Sequence, residues 1–250
     1  MHQNGGLRVA VFLTQESAAG AIMALHPDRP VTGVPLMSQS LAELRQEYAL
    51  SALNQADVDA DPIRQFQCWL QDAVTAQLPE PNAMTLATAD RTGRPFARAV
   101  LLKDCDAGGL VFYTNYRSDK GRQLAENPHA ALLFLWLELE RQVRIEGVVA
   151  KVSTAESEAY FRTRPRENRL GALASRQSQV VLSLEILDQR FAQLADQYPD
   201  DNIPMPNQWG GYRLKPDLLE FWQGRQGRMH DRLRYRLQKG GDWILERLEP

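Results

Sequence analysis

Ala83-Met84-Thr85-Leu86-Ala87-Thr88-Ala89, Asp90-Arg91-Thr92-Gly93-Arg94 and Pro95-Phe96-Ala97-Arg98-Ala99-Val100-Leu101-Leu102-Lys103 read in succession as a strand, a turn and a second strand. From that pair the pattern spreads both ways. Downstream, Asp106-Ala107-Gly108-Gly109 turns the chain into a strand over 110–114, and 118–126 reads as a short helix stopped by Asn127-Pro128. Strands follow at 129–137 and 141–152. The first of these is almost continuously apolar, which predicts burial on both faces. Ser153-Thr154-Ala155-Glu156 is a capping-box pattern that opens a helix ended by Pro165. Helical pieces at 166–175 and 183–198, a proline-punctuated loop at 199–208, and strands at 209–214, 218–223, 232–237 and 243–248 complete the chain. Upstream, Asp61 before Pro62 reads as an N-cap followed by proline at the first helical position, so 62–77 is an amphipathic helix. A further helical pattern covers 40–52. Many short strands with few helices predict a mainly β protein with flanking helices (α+β), a barrel or rolled sheet with its helices outside.

At 250 residues the chain is long enough for one good-sized core or two small ones, and 44% hydrophobic with 24% charged residues is ordinary globular composition. A formal net charge of −2 argues against a bulk binder of nucleic acid or anionic membrane. Any anion site must be local, built from a few arginines and lysines. No apolar run reaches the length of a membrane span, and Val9-Ala10-Val11-Phe12-Leu13 is too brief, with no cleavage site after it, to read as a signal peptide. Cys68 and Cys105 give neither a disulfide framework nor a metal-ligand spacing, so a reducing cytoplasm is the expected compartment and no metal is expected. Residues 1–36 mix short apolar pieces with Gly, Pro and Ser. We expect them to be a poorly ordered N-terminal extension, with 37–250 a single domain. Met37 as the physiological start and an accessory role for 1–36 are both open readings.

Cations cluster in three places. Near the C-terminal end, Phe221-Trp222-Gln223-Gly224-Arg225-Gln226-Gly227-Arg228-Met229-His230-Asp231-Arg232 crowds arginines and a histidine after two large aromatics. Such charges repel, so a fold keeps them together mainly where anions or water compensate, and arginine suits phosphate. Lys120 and Arg122 stand in the first turn of a short helix, where a cation is out of place unless a phosphate shares the site. Arg162, Arg164, Arg166 and Arg169 surround Pro165, with Tyr160 one helical turn before Arg164. Each cluster alone also fits a solvated turn or helix end. Together they supply cations for two phosphates, one around Arg98 and Lys120, the other around Lys103 and Arg164. Strand parity, however, sends Arg98 and Lys103 to opposite sides unless a bulge intervenes.

The stretches Arg98-Ala99-Val100-Leu101-Leu102-Lys103, Phe112-Tyr113-Thr114-Asn115, Glu140-Arg141-Gln142-Val143, Ser175-Arg176-Gln177-Ser178, Trp209-Gly210-Gly211-Tyr212-Arg213 and Phe221-Trp222-Gln223-Gly224 with Arg228-Met229-His230-Asp231-Arg232 resemble the pyridoxamine 5'-phosphate oxidase family. The resemblance runs in order over roughly 40–250. It implies an FMN-binding split β-barrel and a homodimer with FMN in the subunit interface. The implied reaction is oxidation of pyridoxine or pyridoxamine 5'-phosphate to pyridoxal 5'-phosphate by O2, giving H2O2 and, from the amine, NH3, in vitamin B6 salvage or biosynthesis. It assigns FMN contacts to Arg98, Ala99, Val100, Leu101, Leu102, Lys103, Tyr113, Thr114, Lys120, Gln142, Gln177, Ser178, Trp222 and Arg232. It assigns the substrate phosphate to Lys103, Tyr160, Arg164 and Asn168, and the ring to Arg228, Met229 and His230, with Arg228 and His230 catalytic. Arg45 to Tyr48 resembles a segment closing over the substrate. Asp119 stands where the family has an arginine, with Arg117 a nearby substitute. Asn168 replaces a serine and Met229 a leucine, and the residues after Tyr48 lack the family's basic, glycine-containing run. Two other readings compete: a related split-barrel flavin oxidoreductase acting on another ring, and a protein that binds FMN or pyridoxal phosphate without turnover.

Overall fold

The structure is a computed structural model and describes residues 47–250. In β1 (Ala83–Ala89), Met84, Leu86 and Thr88 are buried while the residues between them are half-exposed, the period-two pattern of a strand with one face on a core. β2 (Pro95–Leu101) returns antiparallel through a turn that Asp90 closes, its carboxylate accepting from the Thr92 and Arg94 amides at 2.8 and 3.1 Å. β3 (Asp104–Asp106), β4 (Gly109–Asn115), β5 (His129–Trp136), β6 (Arg141–Lys151), β7 (Trp209–Gln223), β8 (Asp231–Leu237) and β9 (Trp243–Leu248) complete a nine-stranded sheet. Its order is β2-β1-β5-β6-β7-β4-β3, with β8 beside β7 and β9 beside β8.

One feature of β7 decides where the sites fall. The sequence puts two strands at 209–214 and 218–223; the structure keeps one strand of 15 residues. Pro216 is tolerated because it sits at a bulge: β6 pairs Gly147 with Pro216 and Glu146 with Leu218, leaving Asp217 without an opposite residue. Gly147 permits the close approach, since a Cβ there would run into the Lys215 carbonyl. At the same bulge β7 changes its second partner. It pairs with β4 as far as Leu214 and with β8 from Leu218.

α1 (Pro62–Thr75) is capped by Asp61, which accepts from the Ile63 amide at 2.9 Å. Its buried Phe66 and Trp69 meet Phe134 and Phe221 of the sheet at ring-centroid distances of 4.9 and 5.2 Å. α2 (Asp119–Glu126) is short and capped by Ser118. α3 (Thr154–Thr163), α4 (Arg166–Ala174) and α5 (Leu184–Gln197) surround a smaller core of Phe161, Leu170, Ile203 and Trp209.

Two expectations change. The described part of the helix read over 40–52 is not helical, because the amides of Ala49, Leu50 and Leu53 go to the carboxylates of Glu140 and Asp231 instead of to a helical turn. Residues 40–46, and the extension at 1–36, lie outside the described residues. β5 is not buried on both faces within this chain: Ala130, Leu132, Phe134 and Trp136 are, but Leu135 on the other face is 53% exposed. Among the described residues no helix is long and apolar enough to cross a membrane.

Candidate active site

Arg98 and Lys103, which parity sends to opposite sides, both line one cavity of about 520 Å³. β2 ends at Leu101; the Leu102 amide then donates to the Asn82 carbonyl at 2.9 Å and the Lys103 amide to the Val111 carbonyl at 2.8 Å. The chain changes partner strand between these two residues, so alternation does not carry across. Leu102, between them, turns its side chain into the core. Ala99, Val100, Leu101, Tyr113, Thr114, Lys120, Tyr160, Arg164, Asn168 and Gln177 join the lining. Ser178 stands just beyond it, its hydroxyl accepting from the Asp119 amide at 3.2 Å.

Two corners of the cavity are basic. In the first, Arg98 donates to the Leu86 carbonyl, the Thr88 hydroxyl and the Gln123 amide oxygen at 3.1, 2.7 and 2.8 Å. All three acceptors are neutral, so they aim the guanidinium without neutralising it. Lys120 reaches the Gln177 amide oxygen at 3.4 Å. Burial lowers the pKa of both cations; Arg98 lowers that of Lys120 further, and Asp119 opposes the shift in each. Asp119 itself pairs with Arg122. In the second corner, Arg164 lies over the Trp209 ring at 4.8 Å, and its buried Nη1 has no hydrogen-bond partner. Tyr160 stacks on Tyr113 with centroids 4.0 Å apart. Among the described residues none of Arg98, Lys103, Lys120 or Arg164 lies within 4.0 Å of a carboxylate oxygen. Half-buried Arg98, Lys120 and Arg164, exposed Lys103 and an orphaned Nη1 fit a cavity built for anionic groups.

The remaining expected residues form a second group. Gln142, Trp222 and Arg232 are successive partners across β6, β7 and β8, so they share one face of the sheet. Tyr48 packs edge-on against Trp222 and His230, with centroids 5.7 Å away in each case. His230 Nδ1 accepts from the Arg225 amide at 3.2 Å, and burial with the nearby Arg228 charge lowers its pKa. Arg228 has a left-handed backbone, φ +64°, which a non-glycine residue adopts at a cost. Exposed Met229 follows it, and Arg45 lies outside the described residues. Neither Trp222 nor any of Arg228, Met229 and His230 lines the cavity. Trp209, which does, begins β7, and Trp222 nearly ends it, a chain contour of about 40 Å at strand rise. The expected site residues thus fall into two groups on one chain.

Several residues of the site escaped the sequence reading. Gln123 orients Arg98, Trp209 carries Arg164, and Glu220, 4% exposed, pairs with Arg232 at 2.8 Å. Gln123 left a signal as a polar residue on the inward side of a short helix, and Trp209 stands in one of the stretches that carry the resemblance.

Residues 70–198 match the family model described as pyridoxamine 5'-phosphate oxidase, and residues 209–250 match one described as the pyridoxine 5'-phosphate oxidase C-terminal dimerisation region. The chain belongs to the pyridoxamine 5'-phosphate oxidase family. Among curated relatives, the pyridoxine/pyridoxamine 5'-phosphate oxidase of Trichormus variabilis is 53% identical over 214 residues, 86% of this chain and 100% of that protein. The corresponding oxidase of Acaryochloris marina is 57% identical over 211 residues, 84% of this chain and 96% of that one. Among solved structures, PhzG from Burkholderia lata, in complex with tetrahydrophenazine-1-carboxylic acid, superposes with a TM-score of 0.76 at 32% identity, covering 81% of this chain and all of its own. The sheet with its flanking helices is the split β-barrel of this oxidoreductase family.

Proposed function

We propose that this chain is an FMN-dependent oxidase converting pyridoxine 5'-phosphate or pyridoxamine 5'-phosphate to pyridoxal 5'-phosphate. O2 is the acceptor and H2O2 the second product; the amine also takes up water and releases NH3. The observation that carries this reading is the cavity with two basic corners, neither ion-paired among the described residues. One corner, Arg98 and Lys120 with Thr114 and Gln177, suits the FMN phosphate. The other, Lys103, Tyr160, Arg164 and Asn168, suits the substrate phosphate. A charge-assisted contact of this kind contributes about 1.5–3 kcal/mol, so each corner alone is enough to select for a phosphorylated ligand. FMN, when bound, supplies the two-electron acceptor for hydrogen leaving the substrate's C4' carbon.

The chain's own residues hold and orient. Arg228 steers the ring and polarises the C4' substituent, and His230 hydrogen-bonds the substrate as that hydrogen leaves. Neither lines the cavity, and in this reading a second copy brings its turn to this one. A homodimer is supported by the half-exposed apolar face of β5 and by the dimerisation-region match over 209–250. Gln142, Trp222 and Arg232 would then complete the FMN pocket across the interface. The two free cysteines suit a reducing cytoplasm.

The deciding experiment is the visible spectrum of the purified protein before and after anaerobic pyridoxine 5'-phosphate, followed by admission of air. A yellow protein that bleaches, then recovers colour with release of H2O2, is expected. A coloured protein that never bleaches is a binding protein. Bleaching by phosphate-free pyridoxine at the same concentration speaks against the role of Lys103 and Arg164.

A further inference from the structure

Residues 48–53 have no regular structure, yet carboxylates from distant parts of the chain fix their backbone at both ends. Upstream, Glu140 accepts from the Ala49 amide at 2.9 Å and from the Leu50 amide at 3.0 Å, both through Oε2. Downstream, Asp231 accepts from the Leu53 amide at 3.0 Å while Arg247 donates to the Leu53 carbonyl at 2.8 Å. Glu140 ends the 3-10 turn Leu137–Leu139 between β5 and β6, and its backbone is left-handed, φ +52°. A glutamate bears that strain only where its surroundings hold it. Its carbonyl accepts from the Gly224 amide at 2.8 Å. Gly224 in turn leaves room for the segment, because a Cβ there would stand 2.8 Å from Tyr48 Cβ and 3.0 Å from Glu140 Cβ. Glu140, Gly224 and Tyr48 therefore form a single three-way contact. What it presents is the Tyr48 ring, edge-on to Trp222 and His230.

We propose that Glu140 is a positioning residue for substrate binding: its carboxylate latches residues 48–50 so that Tyr48 closes on the His230 side of the site. The proposal rests on the oxidase reading above. Two main-chain donors converging on one carboxylate make a stronger tie than neutral acceptors would on a segment whose residues 49 and 50 are exposed. The tie fixes the point from which the chain continues toward Arg45, three residues before Tyr48. Glu140 acts through Tyr48 and takes no part in the chemistry. Glutamine at this position keeps an acceptor oxygen but loses the charge; alanine keeps neither.

The test uses the full-length, FMN-loaded protein. Chymotrypsin cleavage after Tyr48 and Leu50 is timed without substrate, and KM, kcat and the FMN Kd are measured on the same preparations. Glu140→Ala is expected to be cut faster at both bonds and to raise KM about ten-fold, with kcat and FMN Kd within about two-fold, and Glu140→Gln to fall between it and wild type. Gly224→Ala, which displaces Tyr48 from the other side while leaving the carboxylate intact, should raise KM similarly. Unchanged cleavage and unchanged KM in Glu140→Ala overturn the proposal. So does an equal loss of FMN, which is the mark of general damage at the β5–β6 turn. If wild type holds FMN but oxidises nothing, the oxidase reading fails and cleavage alone decides the latch.

Discussion

Arg164 and His230 show how single side chains are tuned by what surrounds them. Burial lowers the Arg164 pKa, yet a guanidinium stays charged at any working pH, so its orphaned Nη1 is a donor held ready. His230 can change state. Its pKa lies below the ordinary 6.5, mainly because burial disfavours the cation and secondarily because Arg228 is close. At pH 7 the imidazole is therefore neutral, and with Nδ1 accepting from the Arg225 amide the hydrogen belongs on Nε2, free to donate. A lowered value in the folded protein means that the contribution of the neutral imidazole is fully present above pH 6.5 and is lost as the pH falls through the lower folded pKa. We expect kcat/KM to decline along an acidic limb lying below pH 6.5, and His230→Gln to have low activity without that limb. A pH–rate series on both proteins checks this; an unaltered limb in the variant assigns the titration to another group.

At the scale of elements, local rules place the scaffold and its breaks in alternation place the site. α1 begins where its cap and proline say it should, and Asp61→Ala should cost about 1 kcal/mol of stability, read by urea unfolding, with FMN affinity unchanged. β1 and β2 alternate as their sequences do, and most strand limits fall within a residue or two of those read from pattern alone. Legibility stops where one element answers to another far away in sequence. Lys103 joins Arg98 because the backbone switches from Asn82 to Val111 as its partner, and no period in 95–103 encodes that exchange. Lys215-Pro216-Asp217 looks like a break and is a bulge, since only the opposite Gly147 reveals that the ladder continues. Tyr48 lies in a helical pattern whose amides are claimed by Glu140 and Asp231, about 90 and 180 residues away, and long-range capture of this kind overrides weak propensity. The motifs singled out the candidate site residues as sets, but which of them line one cavity within one chain only the topology reveals.

For the whole molecule, β7 runs from Trp209 in the cavity lining to Trp222 in the second group, and neither Trp222 nor His230 lines the cavity with Arg164. The apolar outer face of β5 is part of the same proposal. Leu133 and Leu135 lie beside Arg144 and Gln142 of β6, and the row continues to Trp222 and Arg232, so an apolar patch adjoins the second group of candidate residues. In the proposed twofold dimer that patch is covered and each copy's turn reaches the other's cavity, because in an isologous interface whatever one subunit lends it also receives. The arrangement predicts complementation between inactive proteins. Arg164→Ala should disable the cavity side and Arg228→Ala the turn side, each leaving little activity as a homodimer. After subunit exchange, a mixed dimer has one doubly damaged site and one intact site, so an equal mixture should regain about a quarter of wild-type activity. The rate of recovery should follow the rate of exchange, which native mass spectrometry of a tagged and an untagged subunit reads directly. Mixed dimers that form without any return of turnover would mean that each site is assembled from one chain alone, against the proposed sharing of the site between copies.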